Sequence, residues 1–348
     1  MNFDKIFITW KIRTQKTYVL PVKCVVERNT LMHFCATILL ISKISLTFQE
    51  EFDITVLVNV KEIIDMATPK IGLFIGMSAD RGIVEEKFKR VQSFGLHSCQ
   101  LMSWLVSERT PETAEMILEL CDKYDVRISN LWAGWTPFPT ADAYESWGLI
   151  PMAFRSRRYD ELVQASHWAK LIGVTDVTTH CGFIPSNPHD PLYTSFITLL
   201  KFLLVTIKAN GQSFNFETGQ ETPMTLLRTI EDAGGENLGV NLDTANLILY
   251  GNGNPVDALD VFGKYVRGTH CKDGLFPTSG RKLGKEVPLG EGKANIPEVV
   301  RKLHELKYQG AFTIEREIPK GEQLDNDIRK AVDLLENEIA KYNWDFEE

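Results

Sequence analysis

From residue 66 onward, short β-rich runs alternate with amphipathic runs of 10–18 residues, eight times over. That rhythm is the signature of a parallel sheet joined by crossover helices. The strand-like runs are 72–77, 98–102, 127–131, 176–179, 213–216, 238–242, 266–269 and 311–314. Between and after them the spacing predicts helices at 84–94, 110–124, 157–171, 191–209, 223–233, 256–262, 297–306 and 324–342. Helix signals agree with this division. Thr110 precedes Pro111, the favoured order of a capping residue and a first-turn proline, and Gly234-Gly235 follows the fifth helix as a stop. Eight β/α units in 283 residues match one closed (β/α)8 TIM barrel. The nucleotide-binding open sheets lose support, because no GxGxxG follows the first strand and no P-loop occurs.

Residues 1–65 read differently. They contain no Gly and one Pro, and their 8 Lys/Arg against 7 Asp/Glu leave +1, while the remaining 283 residues carry −9. Their longest apolar run, 31–41, is shorter than the ~20 residues that span a bilayer. No small-residue cleavage site follows that run, and Met66 stands directly before the first clean strand. The expected organisation is an atypical extension over 1–65, outside the functional domain, and a barrel over 66–348. The acidic balance argues against a nucleic-acid partner, and nothing in the sequence calls for a membrane. Six cysteines without a CxxC pair fit reduced thiols and a cytoplasmic protein. A homo-oligomer is compatible with all of this.

In a barrel the C-terminal strand ends build the active site. Here five consecutive strands end at His180, Glu217, Asp243, His270 and Glu315, spaced by 37, 26, 27 and 45 residues, one β/α unit each. Side chains at equal height on neighbouring strands converge, since parallel strands lie ~4.8 Å apart. Two Glu, one Asp and one His form a hard, oxygen-rich donor set suited to Mn²⁺, Mg²⁺ or Co²⁺, and it admits Zn²⁺. Each residue also has a plainer reading. Asp243 suits a helix cap, His180 and His270 suit buried structural histidines, and Glu317 competes with Glu315. Glu315 is preferred because it directly follows Phe312-Thr313-Ile314.

The stretches Phe216-Glu217-Thr218-Gly219-Gln220-Glu221-Thr222, Asn241-Leu242-Asp243-Thr244-Ala245-Asn246, Thr269-His270-Cys271-Lys272-Asp273 and Thr313-Ile314-Glu315-Arg316-Glu317 resemble the xylose isomerase-like TIM-barrel superfamily. This is the group of sugar phosphate isomerases and epimerases, and the resemblance covers about 70–340. It implies one divalent metal held by Glu217, Asp243, His270 and Glu315, with Glu217 and Glu315 also shuttling the proton. Two positions depart from the ketose 3-epimerases: Thr218 stands where they carry Pro, and Asn246 where they carry His.

Such a site acidifies the C–H beside a carbonyl, giving an enediolate. Return of the proton yields epimerisation or isomerisation of a sugar; loss of hydroxide yields dehydration, the runner-up, as of a keto-inositol. A non-catalytic sugar-binding protein is the alternative from another class. A multi-zinc DNA-repair endonuclease is disfavoured by only seven histidines in the chain. Candidate substrate contacts are Trp132, His180, Gln220, Glu221, Asn246 and Lys272, with Trp104 and Trp135 as further aromatic faces. Lys272 suits an oxyanion or a pair with Asp273. The Gly-rich loop 274–295 suggests a lid, with Glu291 as a possible site residue.

Overall fold

The computed structural model describes residues 5–13, 19–27, 53–55, 68–137 and 146–346. The chain divides into two compact units, Met1–Ala67 and Thr68–Glu348. In the first, β1 (Lys5–Arg13), β2 (Val19–Glu27) and β3 (Asp53–Thr55) form an antiparallel sheet in the order β2-β1-β3. The β-branched content of β1 and β2 favours strands. The apolar run 31–41 and Met66 lie outside the described residues.

The second unit is a closed eight-stranded parallel barrel. Its strands are β4 (Ile71–Gly76), β5 (Ser98–Ser103), β6 (Arg127–Ala133), β7 (Asp176–Thr179), β8 (Ser213–Glu217), β9 (Leu238–Asp243), β10 (Val266–Cys271) and β13 (Phe312–Ile314). The helices are α1 (Arg81–Ser93), α2 (Pro111–Tyr124), α3 (Met152–Leu171), α4 (Pro191–Ala209), α5 (Pro223–Ala233), α6 (Asn246–Leu249), α7 (Pro255–Phe262), α8 (Ile296–Glu305) and α9 (Glu322–Ile339). Four of them start with one device. Thr110, Asp190, Thr222 and Asn254 each accept a backbone N–H of the first turn, and a proline follows at once. The cap satisfies an orphan donor, and the proline lacks the N–H that would be another.

Two departures from expectation concern loops. α3 begins at Met152, one residue after Pro151, rather than near 157. The segment 274–295 contains a small hairpin, β11 (Asp273–Leu275) against β12 (Lys285–Val287). Among the described residues, α4 is the one helix long and apolar enough to cross a membrane. Here Tyr193, Phe196, Leu200, Leu203, Leu204 and Ile207 of α4 are buried, and the helix packs against β8 and its helical neighbours α3 and α5.

Strand alternation sorts the side chains into two layers. Leu101, Leu131, Val177, Phe214, Phe216, Val240, Leu242 and Phe312 pack between strands and helices and form the apolar core. The opposite faces carry Gln100, Asn130, Thr178, Asn215 and Asn241, all buried. Two residues further along their strands stand Glu217 above Asn215 and Asp243 above Asn241. The C-terminal end of the barrel thus rests on a polar layer.

Candidate metal centre

Glu217, Asp243 and His270 are at the ends of β8, β9 and β10, and Glu315 immediately follows β13. These four strands are consecutive neighbours in the barrel. Asp243 pairs directly with His270 in register, and His270 with Thr313, two residues before Glu315. One ligand atom from each of the four residues lies within 4.8 Å of the others. His270 Nδ1 is 2.9 Å from Glu217 Oε1 and 3.2 Å from Glu315 Oε2. Three carboxylates and one imidazole converging this closely, almost fully buried, fit a single hard divalent cation.

Asp243 does two jobs at once. Its Oδ1 accepts the Ala245 and Asn246 N–H groups, both at 2.8 Å, so it caps the short α6. Its Oδ2 faces Lys272 Nζ at 3.4 Å. One oxygen of the carboxylate is thus committed to backbone N–H groups, and the other is turned toward Lys272.

The charges explain the titration of the cluster. Burial alone would lower the His270 imidazole, but the Glu315 and Glu217 carboxylates overturn this and push it up to about 10. Burial likewise opposes ionisation of Glu315, yet Lys272 and His270 hold it well below the usual carboxylate range. Glu217 is lowered against its own burial by His180 and His270. Asp243 is pushed up to about 7 by burial, against the pull of Lys272. Positive charge is thus drawn to the centre of the carboxylates, as a cation site requires.

Lys272 is buried and lies 3.3 Å from Glu315 Oε2 and 2.8 Å from Glu317 Oε2. It does not pair with Asp273. The Asp273 carboxylate instead accepts four backbone N–H groups, from Gly274 and Ala294 on Oδ1 and from Gly290 and Gly292 on Oδ2, at 2.8–3.0 Å. Those bonds turn Gly290 and Gly292 inward. Glu291, between them, is 57% exposed and points to Lys330 at 4.0 Å. The structure does not bring Glu291 to the cluster. Glu317 makes the shorter of the two contacts from this strand end to Lys272, while its side chain is otherwise 63% exposed.

An aromatic wall stands on the other side. Trp132 Nε1–H donates to Glu217 Oε2, and Trp104 stacks on Trp132 at 5.1 Å. His180 follows β7, with Nε2 3.3 Å from Glu217 Oε2. Trp132 and Trp147 meet its ring edge-on at 6.0 and 5.9 Å. Trp135 is fully buried beneath the Arg158 guanidinium, 4.1 Å away, and donates to Thr179 Oγ1; it packs the loop. Trp147 arrives through a close crossing of two loops. Gly148 has φ +70° and Gly182 φ +91°, and a Cβ on either would fall within 2.2 Å of the other loop's backbone. Sequence reasoning missed Trp147, although a second tryptophan in the loop after the third barrel strand was a signal.

Gln220 donates to the Tyr250 hydroxyl at 3.3 Å, and Asn246 opens α6 with its side chain buried. Among the described residues, His180 Nδ1, Trp147 Nε1, Gln220 Oε1 and Glu221 Oε1 are buried in this region without a hydrogen-bond partner. Leaving such atoms dry is costly, so they point to a polar ligand.

Burial pushes Glu221 from an ordinary 4.5 up to about 8. Between those values the folded chain keeps a proton that the unfolded chain has released, so stability falls as pH rises through this window. Glu221→Gln removes that slope. The melting-temperature difference, variant minus wild type, is expected to grow from about pH 4.5 to about pH 8 and then level off. Thermal melts of metal-free protein across that range check this; a constant difference would show a solvated Glu221.

A (β/α)8 barrel with one carboxylate–histidine cation centre at the C-terminal ends of its strands is the class this fold and site define. A family model described as xylose isomerase-like TIM barrel matches residues 88–338, and the chain belongs to that family. It is similar to a xylose isomerase domain protein from Planctomyces limnophilus, with 33% identity and a TM-score of 0.73, covering 79% of this chain and 98% of that one. A D-tagatose 3-epimerase-like protein shares the fold at 19% identity and a TM-score of 0.61, over 78% of this chain and 97% of the other. So does a xylose isomerase-like TIM barrel protein from Mycobacterium smegmatis in complex with magnesium, at 15% identity and a TM-score of 0.59, over 78% and 98%.

Proposed function

We propose that the protein is a divalent-metal-dependent isomerase or epimerase of a sugar or sugar derivative, acting through an enediolate, and that the function resides in residues 66–348. The observation that carries this reading is one juxtaposition. The four-residue donor cluster lies beside unpartnered atoms of His180, Trp147, Gln220 and Glu221, a lining suited to the hydroxyl groups of a polyol. Trp132 and Trp104 add an apolar face against which a sugar's C–H groups can lie. When bound by Glu217, Asp243, His270 and Glu315, a divalent ion supplies Lewis acidity to adjacent carbonyl and hydroxyl oxygens.

The residues divide the remaining work. Either Glu217 or Glu315, as the carboxylate, accepts the proton of the carbon next to the carbonyl, so a C–H bond becomes an O–H bond. The other takes a proton from solvent water and passes it to the opposite face, and the first releases its proton to solvent, so both return to carboxylates. Trp132, His180 and His270 hold Glu217, and Lys272 and His270 hold Glu315, so both carboxylates are fixed in place. Gln220, Glu221 and Asn246 orient hydroxyl groups.

The test is incubation of a ketose and sugar-acid panel with the Mn²⁺-loaded protein in D₂O, read by mass and NMR. One deuterium gained at a carbon beside the carbonyl is expected. Loss of one water mass would make the enzyme a dehydratase. Binding of a sugar with no exchange in any panel member would make it a binding protein and end the proposal.

A further inference from the structure

His270 shows its two ring nitrogens to different surroundings. Nδ1 faces the carboxylates of Glu217 and Glu315. Nε2 lies 2.8 Å from Gln100 Oε1. Gln100 is on β5, separated from β10 around the barrel by β13 and β4, and is 1% exposed, so it meets His270 across the barrel interior.

The two ends of a glutamine amide have the same shape, so their assignment needs a fixed partner. The main chain supplies one. Gln100 Nε2 lies 3.3 Å from the Thr269 carbonyl oxygen and 2.9 Å from Asn241 Oδ1. A carbonyl only accepts, so the amide NH₂ must face Thr269, and Gln100 Oε1 must face His270. That oxygen also only accepts. His270 Nε2 must therefore carry a hydrogen. With Nε2 committed to Gln100, Nδ1 is the ring nitrogen that faces the Glu217 and Glu315 carboxylates and is open to a cation held between them.

We propose that Gln100 is a positioning residue that sets the tautomer of His270 and reserves Nδ1 for a divalent ion. This rests on the reading of the four-residue cluster as a metal centre and is independent of the substrate. Asn241, two residues before Asp243 on β9, steadies Gln100 by accepting its amide hydrogen. Gly268 leaves room for both. A Cβ there would stand 2.5 Å from Asn241 Oδ1 and 3.4 Å from Gln100 Nε2. The polar layer beneath the site thus has a use: it carries the hydrogen bond that orients a ligand.

Two measurements test the proposal. In ¹⁵N-histidine-labelled, Mg²⁺-loaded protein, long-range ¹H–¹⁵N spectra should show the His270 ring protonated on Nε2 with a bare Nδ1. The ring is identified by its absence from His270→Asn. In Mn²⁺ titrations followed by electron paramagnetic resonance, Gln100→Leu should weaken binding by about 10–100-fold. Gln100→Glu keeps an acceptor under Nε2 and should bind more tightly than Gln100→Leu. A proton on Nδ1 in the loaded wild type overturns the proposal, and this readout needs no variant that might fail to fold. A folded Gln100→Leu that binds Mn²⁺ as tightly as wild type overturns it too. Wild-type protein that binds no Mn²⁺ would remove the metal centre itself.

Discussion

Glu217→Gln and Glu315→Gln are each expected to lower kcat/KM by about 10³-fold or more, with the fold intact. Gln preserves the shape and one acceptor oxygen but cannot take up a proton at neutral pH. Each carboxylate is also the counter-charge of a buried partner: Glu217 faces His180 and His270, and Glu315 faces His270 and Lys272. The loss should therefore exceed that of a substrate-contact change such as Gln220→Ala. Circular dichroism and Mn²⁺ affinity, measured beside the rate, separate lost chemistry from lost metal. If either variant binds Mn²⁺ and keeps a tenth of the wild-type rate, that carboxylate does not move the proton.

Asp273→Asn is expected to destabilise the barrel domain by about 2–4 kcal/mol, a fall of roughly 5–10 °C in melting temperature. The carboxylate offers two acceptors to four N–H groups. An asparagine turns one acceptor into an NH₂ that faces two donors. Gly292 cannot move aside by carrying a side chain, because a Cβ would lie 2.1 Å from Asp273 Oδ1. The segment 284–295 should then open to limited proteolysis before the rest of the domain. A variant with the wild-type melting temperature and cleavage pattern would show that these bonds do not hold the loop.

The barrel and its four clustered side chains were legible because both are periodic. Strand and helix alternate at β/α spacing, and the four residues stand at the ends of successive strands of that repeat. What escaped the sequence reading broke its period. α3 begins five residues before the expected start because Arg155 and Arg158 are buried in its first turns, binding the carbonyls of Leu149, Ile150, Ser146 and Gly148. Charged residues on an inward face hide a helix from any hydrophobic pattern. β11 and β12 are three residues each, too short to announce themselves. Gln100 and Asn241 sit inside the barrel where an apolar residue is the default, so their role required the geometry. Glu291 failed for a local reason. Its glycine neighbours point their N–H groups at Asp273, and the side chain between them is turned to solvent.

The bond from Trp132 to Glu217 has one more consequence. Indole emission responds to the charge beside its N–H, and here that charge belongs to a carboxylate of the proposed metal centre, with Trp104 stacked on the same ring. Trp132 is thus placed as an intrinsic optical gauge of the proposed centre, wired in by a single hydrogen bond. Occupancy can be followed by the native fluorescence of the chain, with no label attached.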